Sequence, residues 1–155
     1  MKPLGLLILV LMVGLVAACT SVLTPVRDCS VLTATDIAEA TGRSTTASIR
    51  GDPSPFGEMV CNYEIDGGQL SLSVFYESLD AIDFYDEAIE GMIDTESVPS
   101  LGPHATYGRV AVAGTEELAV FVDGVSFTLV NRSSMDIGRE GLEALARTIL
   151  DRLIS

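Results

Sequence analysis

Two Asp-Gly pairs constrain the fold of this chain more than any other feature. Asp66-Gly67 and Asp123-Gly124 each lie between two short runs in which apolar and polar residues alternate. Such a pair is the preferred centre of a two-residue type I′ turn, and the alternation gives each flanking strand one apolar face. The sequence therefore predicts two antiparallel hairpins, each with one side buried.

The apolar residues also fix the register of each hairpin, because a slip by one residue would turn them all to the other face. In the first hairpin the pattern predicts the pairs Met59 with Val74, Cys61 with Leu72, and Tyr63 with Leu70. In the second it predicts Leu118 with Leu129, Val120 with Phe127, and Val122 with Val125.

The beginning of the chain has the pattern of a bacterial lipoprotein signal. Lys2 precedes thirteen apolar residues, 4–16, and then the small residues Ala17 and Ala18 precede Cys19. The run is shorter than the 20 or so residues that a membrane-spanning helix needs, which argues against an uncleaved anchor. We expect cleavage before Cys19, a lipid on its thiol, and a mature protein anchored in the cell membrane on the extracytoplasmic face.

The sequence is predicted to divide into three parts. Residues 1–18 are the predicted signal peptide, residues 19–28 a tether, and residues 29–155 a single α+β domain. Cleavage leaves 155 − 18 = 137 residues, which suits one domain. Of the three cysteines, Cys29 and Cys61 remain, and a disulfide between them is expected outside the cytoplasm. Two cysteines and one histidine are too few for a zinc site, and no C-x-x-C indicates redox activity. No cofactor is expected.

Three helices complete the predicted domain. Thr33 and Asp36 form a capping-box pattern before a helix at 34–41, and Gly42 is a suitable C-cap. A second amphipathic helix is predicted at 78–94, and a third begins near Ser133 or Asp136. With a further strand at about 106–113, the predicted order is α-β-β-α-β-β-β-α, an antiparallel sheet built from hairpins with helices packed on it. Residues 43–58 are predicted to be irregular, with at most a brief strand at 47–49.

Charge is distributed unevenly. The chain has a formal net charge of −13, and residues 51–108 contain no lysine or arginine. This field repels nucleic acid and attracts cations or basic partners. On the second predicted helix, five acids recur at steps of three and four residues: Asp80, Asp83, Glu87, Glu90 and Asp94. They are a candidate docking surface for a basic envelope protein, or simply a solvated face, and no calcium-binding loop motif accompanies them.

Two other parts of the sequence contain candidate site residues. Residues 43–58 present Arg43, Arg50 and Phe56 on a long loop, and such loops often bind ligands. The only histidine, His104, follows Gly102-Pro103, but no serine lies in the context of a nucleophile elbow. We therefore expect His104 to have no catalytic role.

Several short motifs together resemble the small cell-envelope lipoproteins of actinobacterial type that carry domains of unknown function. They are Cys29-Ser30-Val31-Leu32-Thr33, Cys61-Asn62-Tyr63, Val98-Pro99-Ser100-Leu101-Gly102 and Leu142-Glu143-Ala144-Leu145-Ala146-Arg147. The resemblance covers most of residues 29–153. It implies a PsbP-like α+β fold outside the cytoplasmic membrane and no established catalytic residues.

These observations favour a membrane-anchored lipoprotein that acts as a non-enzymatic binding or accessory module of the cell envelope. The alternative is a carrier that holds a lipid or other apolar small molecule between the sheet and a helix.

Overall fold

The structure, a computed structural model, describes residues 28–53, 58–76, 81–134 and 136–154, with the backbone alone for 46–53 and 58. These residues form an α+β domain built on one antiparallel sheet, which within the described part of the chain has seven strands in the order β1-β2-β3-β7-β6-β5-β4. The strands are β1 (Thr45–Pro53), β2 (Glu58–Ile65), β3 (Gly68–Phe75), β4 (Met92–Ser97), β5 (His104–Val110), β6 (Glu116–Val122) and β7 (Val125–Asn131). The helices are α1 (Ala34–Thr41), α2 (Ala81–Glu90) and α3 (Gly138–Leu153), with short 3-10 helices at Cys29–Val31 and Pro99–Leu101.

Both predicted hairpin registers are confirmed. In the β2–β3 pair, Met59 lies opposite Val74, Cys61 opposite Leu72 and Tyr63 opposite Leu70. In the β6–β7 pair, Leu118 lies opposite Leu129, Val120 opposite Phe127 and Val122 opposite Val125. The sheet is completed by pairing of β3 with β7, which brings the two hairpins side by side.

The two hairpin turns differ from each other. The second hairpin turns at Asp123-Gly124 as predicted, and their φ angles of 50° and 80° are those of a type I′ turn. At the first turn only Gly67 of the central pair is left-handed, with φ of 88°, so the type I′ prediction is wrong there. Neighbouring segments hold this turn: Asp66 N–H donates to the Ser44 carbonyl oxygen and Ser134 N–H to that of Gly67. These tertiary contacts override the local preference.

The first helix was predicted correctly. Thr33 and Asp36 form the capping box at the start of α1, and Gly42, with φ of 66°, caps its end. The last helix begins at Gly138, slightly later than predicted, and its buried side chains match the predicted set: Leu142, Leu145, Ala146, Ile149 and Leu153.

The second helix is shorter than predicted. It ends at Glu90 rather than continuing to residue 94, and Met92 and Ile93 belong to strand β4. Gly91 follows the last helical residue, and Asp94 has a left-handed φ of 53° at an irregularity in the β4–β5 pairing. The edge of the sheet thus takes residues that helical periodicity alone assigned to α2.

Strand β1 also differs from the prediction. Residues 45–53 pair with β2 as the other edge of the sheet, although 43–58 was expected to be irregular. Pro53 is compatible with this position because an edge strand does not need every backbone N–H for pairing. Strand β5 begins two residues before the predicted 106 and ends three before the predicted 113.

Alternate residues of the central strands enter two separate clusters. Leu118 and Val120 of β6 belong to the main core with α1 and α3, whereas Ala119 between them packs with Tyr85 of α2. Helices α1 and α3 therefore cover one face of the sheet, and α2 lies on the opposite face. Within the described part of the chain, no helix is both long and apolar enough to cross a membrane.

The predicted disulfide is confirmed. Cys29 and Cys61 are bonded, with their Cα atoms 5.5 Å apart, and both are buried in the main core. The Tyr63 hydroxyl donates to the Cys29 carbonyl oxygen at 3.0 Å. On the same side, Arg152 of α3 forms two hydrogen bonds, of 2.6 and 2.9 Å, with the Asp36 carboxylate of α1. The beginning and end of the domain are therefore fastened together.

Candidate ligand-binding groove beside the second helix

A groove of about 360 Å³ lies between α2 and the uncovered part of the sheet. The main core occupies the other face, so the groove is separate from it. Its polar lining comes mostly from the sheet and its neighbours: Ser71, Ser73, Thr115, Glu117, Thr128 and Arg132. Its apolar lining consists of Phe84, Ala88, Val110, Ala113 and Val130, and Glu87 of α2 completes the wall.

Glu117 is the unusual residue of this groove. Its residue surface is 9% exposed, yet among the described residues no donor lies within hydrogen-bonding distance of its carboxyl group. Desolvation by burial raises the pKa of Glu117 to about 7, and the positive charge of Arg132 partly opposes this. A buried carboxyl group without a donor is costly, and such groups cluster at functional sites.

The neighbouring residue, Glu116, has the opposite environment. Its carboxyl oxygens accept hydrogen bonds from the Tyr107 hydroxyl and the Asn131 amide, each at 2.8 Å. They also accept from the backbone N–H groups of Ile137 at 2.6 Å and Gly138 at 2.9 Å. Glu116 thus satisfies donors at the beginning of α3 and is structural.

The charges around the groove are unequal. Among the described residues that line the groove, two carry a carboxyl group, Glu87 of α2 and Glu117 of β6, and one, Arg132, carries a guanidinium group. Arg132 and Glu87 are exposed, so Glu117 is the one of the three that is removed from water. The Ser71 hydroxyl already donates to the Asn62 amide oxygen at 2.8 Å. Among the described lining groups, the carboxyl group of Glu117 is therefore the buried acceptor that lacks a described hydrogen-bond donor.

The row of five acids predicted on the second helix, the acidic stripe, is only partly present in the structure. Asp83, Glu87 and Glu90 are exposed on α2, but Asp94 lies in β4 and not on the helix. Asp80 lies outside the described residues. The continuous five-residue surface was predicted from a helix that extends four residues too far, and of its described members Glu87 alone lines the groove.

The other predicted candidates lie elsewhere. His104 packs edge-on between Tyr85 and Phe121, with ring centroids 5.8 Å apart in both pairs. Arg43 donates to the Ser133 hydroxyl at 3.0 Å and to the Asp136 carbonyl oxygen at 2.8 Å, so it fastens the segment before α3. Cys19 and Phe56 lie outside the described residues, as does the side chain of Arg50.

Neither Glu117 nor Arg132 was predicted from the sequence to be a site residue. A signal was present, because Glu116-Glu117 is a charged pair at the beginning of a strand whose next five residues are apolar. A central strand covered on both faces must bury both carboxyl groups. Within the described residues, no cluster of three or more histidine, cysteine, aspartate or glutamate side chains could hold a metal ion.

Comparison with known proteins gives little further information. No protein-family model matches the chain, and no curated protein matches it. Among solved structures, the chain is similar to a GTP binding regulator from Thermotoga maritima. That match has a TM-score of 0.44 and 10% sequence identity, and covers 81% of this chain and 90% of the other. The resemblance to actinobacterial-type lipoproteins stays a prediction.

Proposed function

We propose that this protein is a non-enzymatic binding module of the cell envelope, and that its ligand is a small molecule held in the groove beside α2. The observation that carries the proposal is the carboxyl group of Glu117. It is nine-tenths buried, faces the groove, and has no described hydrogen-bond donor. A ligand that supplies a donor would reduce this energetic cost, and the reduction would favour binding.

The volume and lining of the groove support a small ligand. Ligand pockets generally enclose about 300–1,000 Å³ and combine apolar walls with a few polar groups that fix orientation. This groove, at about 360 Å³, is at the lower end of that range and has both kinds of lining. A docked protein segment would need a larger surface.

The alternative function, a carrier of a lipid or other apolar molecule, is less well supported. The space between the sheet and helices α1 and α3 is occupied by the main core, in which Leu72, Phe127 and Leu145 are 0% exposed. The groove on the other face has hydroxyl groups and a carboxyl group on its floor. A wholly apolar molecule would leave these polar groups without partners.

The anchor completes the proposal. A lipid on Cys19 would hold the module at the membrane, on the extracytoplasmic face, and the sequence pattern of residues 1–19 supports this assignment. A disulfide such as that of Cys29 and Cys61 is typical of oxidising compartments outside the cytoplasm. The exposed acids of α2 remain a proposed contact for a basic envelope protein.

The test is native mass spectrometry of the full chain, purified from membranes of a bacterium that processes lipoproteins. Two variants of one exposed turn are matched: Ala113→Trp fills the groove, whereas Ala111→Trp adds the same bulk outside it. We expect an acylated chain that begins at Cys19, with a bound small molecule on the wild type and Ala111→Trp but not on Ala113→Trp.

Each other outcome refutes one part of the proposal. A full-length chain without acyl groups would refute the anchor. A ligand that Ala113→Trp retains, or no ligand on any of the three proteins, would refute the groove. A bound molecule whose mass changes during incubation with the protein would refute the non-enzymatic role.

A further inference from the structure

From the charges and hydrogen-bonding groups of the groove, we infer that its ligand is a small organic cation: a protonated amine with a short apolar body, whose ammonium group donates to Glu117. This inference rests on the proposed function, since it names the chemical class of the ligand for the same groove. It depends on three features: an acceptor without a donor, a local excess of negative charge, and an apolar wall.

The first feature is the acceptor. Glu117 lies at the beginning of β6, where the strand pairs with Val130 of β7 and the side chain points away from the main core. The carboxyl group offers acceptor oxygens and, when ionised, no donor. An ammonium group has three donors and no acceptor, so the two groups are complementary. Hydrogen bonds between two such charged groups are among the strongest that a protein makes.

The second feature is the sign of the charge. An anionic ligand would approach two carboxyl groups, Glu87 and Glu117, and among the described lining residues Arg132 alone carries a positive charge. Asp83 and Glu90 add further negative charge on the exposed surface of α2. A cation would be attracted by the same field, which raises both its local concentration and its rate of association.

The third feature is the wall opposite the sheet. Phe84 lines the groove, and its ring packs at a tilt of 34° against that of Phe75, with centroids 4.0 Å apart. Ala88 of α2 extends this wall, and Val110 and Val130 add apolar surface on the sheet that faces it. A short hydrocarbon chain can be buried here while the charged end remains at Glu117, and an aromatic face also attracts a cation.

The inference can be tested with three probes of matched shape: n-butylammonium, n-butanol and butyrate. Each is titrated into the full ¹⁵N-labelled chain, solubilised in a neutral detergent and kept above pH 7, while amide shifts are recorded. We expect n-butylammonium to give saturable shifts at Ser71, Ser73, Glu117 and Thr128. Butanol and butyrate should bind at least about tenfold more weakly.

Three variants assign the effect to individual charges. Glu117→Gln should weaken n-butylammonium binding about tenfold or more, and Arg132→Gln should strengthen it by removing the opposing positive charge. Glu90→Gln makes the same charge change as Glu117→Gln on an exposed part of α2 outside the groove, and should alter the affinity less than about threefold.

The remaining outcomes separate this inference from the proposed function. If butanol or butyrate binds the same amides as tightly as n-butylammonium, the groove is a binding site but its cationic specificity is refuted. If Glu117→Gln and Glu90→Gln weaken binding equally, the role of Glu117 is refuted. If none of the probes shifts these amides, both the inference and the proposed groove are refuted.

Discussion

Glu116 and Glu117 are consecutive residues of β6 whose carboxyl groups lie on opposite faces of one sheet, and only Glu116 is supplied with described hydrogen-bond donors. Glu116 accepts from Tyr107, Asn131 and the beginning of α3. Glu117 is buried in the groove without a described donor, and desolvation raises its pKa to about 7. One residue serves stability, and the other is held in an unfavourable state that a ligand can relieve.

The different environments of Glu116 and Glu117 predict that mutating them changes the stability of the protein in opposite directions. In the native protein the pKa of Glu117 is about 7, above its ordinary value of 4.5, so the native state binds a proton that the unfolded chain has released. The free energy of unfolding should therefore fall as pH rises from about 4.5 to about 7 and then become level. Glu117→Gln should remove this dependence and stabilise the protein above pH 7 by about 1–3 kcal/mol. Urea unfolding at several pH values measures the free energy of unfolding of the wild type and of Glu117→Gln. The same dependence on pH in both proteins would contradict the prediction.

Glu116→Ala should destabilise the protein by about 3 kcal/mol, because it removes the acceptor of four hydrogen bonds, two of them from the part-buried N–H groups at the start of α3. The matched control is Glu140→Ala, which removes an exposed acid in the first turn of the same helix. It should cost less than about 1 kcal/mol. Thermal or urea unfolding of both variants gives the comparison, and equal losses would show that Glu116 has no special role.

Asp36 predicts a second pH effect, in the acid range. Its hydrogen bonds with Arg152 are the main cause that lowers the pKa of Asp36 from 3.8 to about 2. The stabilisation is present above pH 4 and should be lost as pH falls through about 2, because the unfolded chain takes up the proton first. We expect the wild type to lose about 2 kcal/mol over this range. Asp36→Asn should already be less stable than the wild type by about that amount at pH 6, and this position should cause no further loss in the variant as pH falls. A variant as stable as the wild type at pH 6 would contradict this.

The disulfide predicts an effect of reduction. Cys29 and Cys61 are 32 residues apart, and closing a loop of this length typically contributes about 2–4 kcal/mol. The double variant Cys29→Ser/Cys61→Ser should lose about that much, and a reducing agent should then have no further effect on it. Unfolding in urea with and without dithiothreitol measures both. A wild type that is equally stable when reduced would contradict the prediction.

Local patterns predicted much of the fold. The alternation around Asp66-Gly67 and Asp123-Gly124 was enough to set both registers, because only one register places all apolar residues on one face. The capping box of Thr33 and Asp36 likewise fixed α1. Each of these signals is contained in a few neighbouring residues.

The edge strands could not be predicted in the same way. Met92 and Ile93 continue the helical spacing of α2, but they pair with Val110 and Arg109 of a strand that is distant in sequence. Strand β1 is likewise defined by its partner β2, while its own sequence contains Gly51 and Pro53. Both edge strands therefore depend on pairing with residues distant in sequence, and such pairing cannot be predicted from local periodicity.

The groove was missed for a related reason. Glu117 differs from Glu116 only in the face to which it points, and the environments of the two faces depend on where α2 and α3 pack. The acidic stripe was visible in the sequence, but its extent depended on the end of α2. In the structure the buried acid that lines the groove is Glu117, which lies on the sheet and not on α2.

The most direct test is to measure the pKa of Glu117 itself, by ¹³C NMR titration of its side-chain carboxyl carbon with and without n-butylammonium. Glu117→Gln identifies the resonance. The account predicts a midpoint at about pH 7 in the free protein, and a lower midpoint when the cation is bound beside the carboxyl group. An ordinary midpoint near pH 4.5 that the cation does not change would contradict the account.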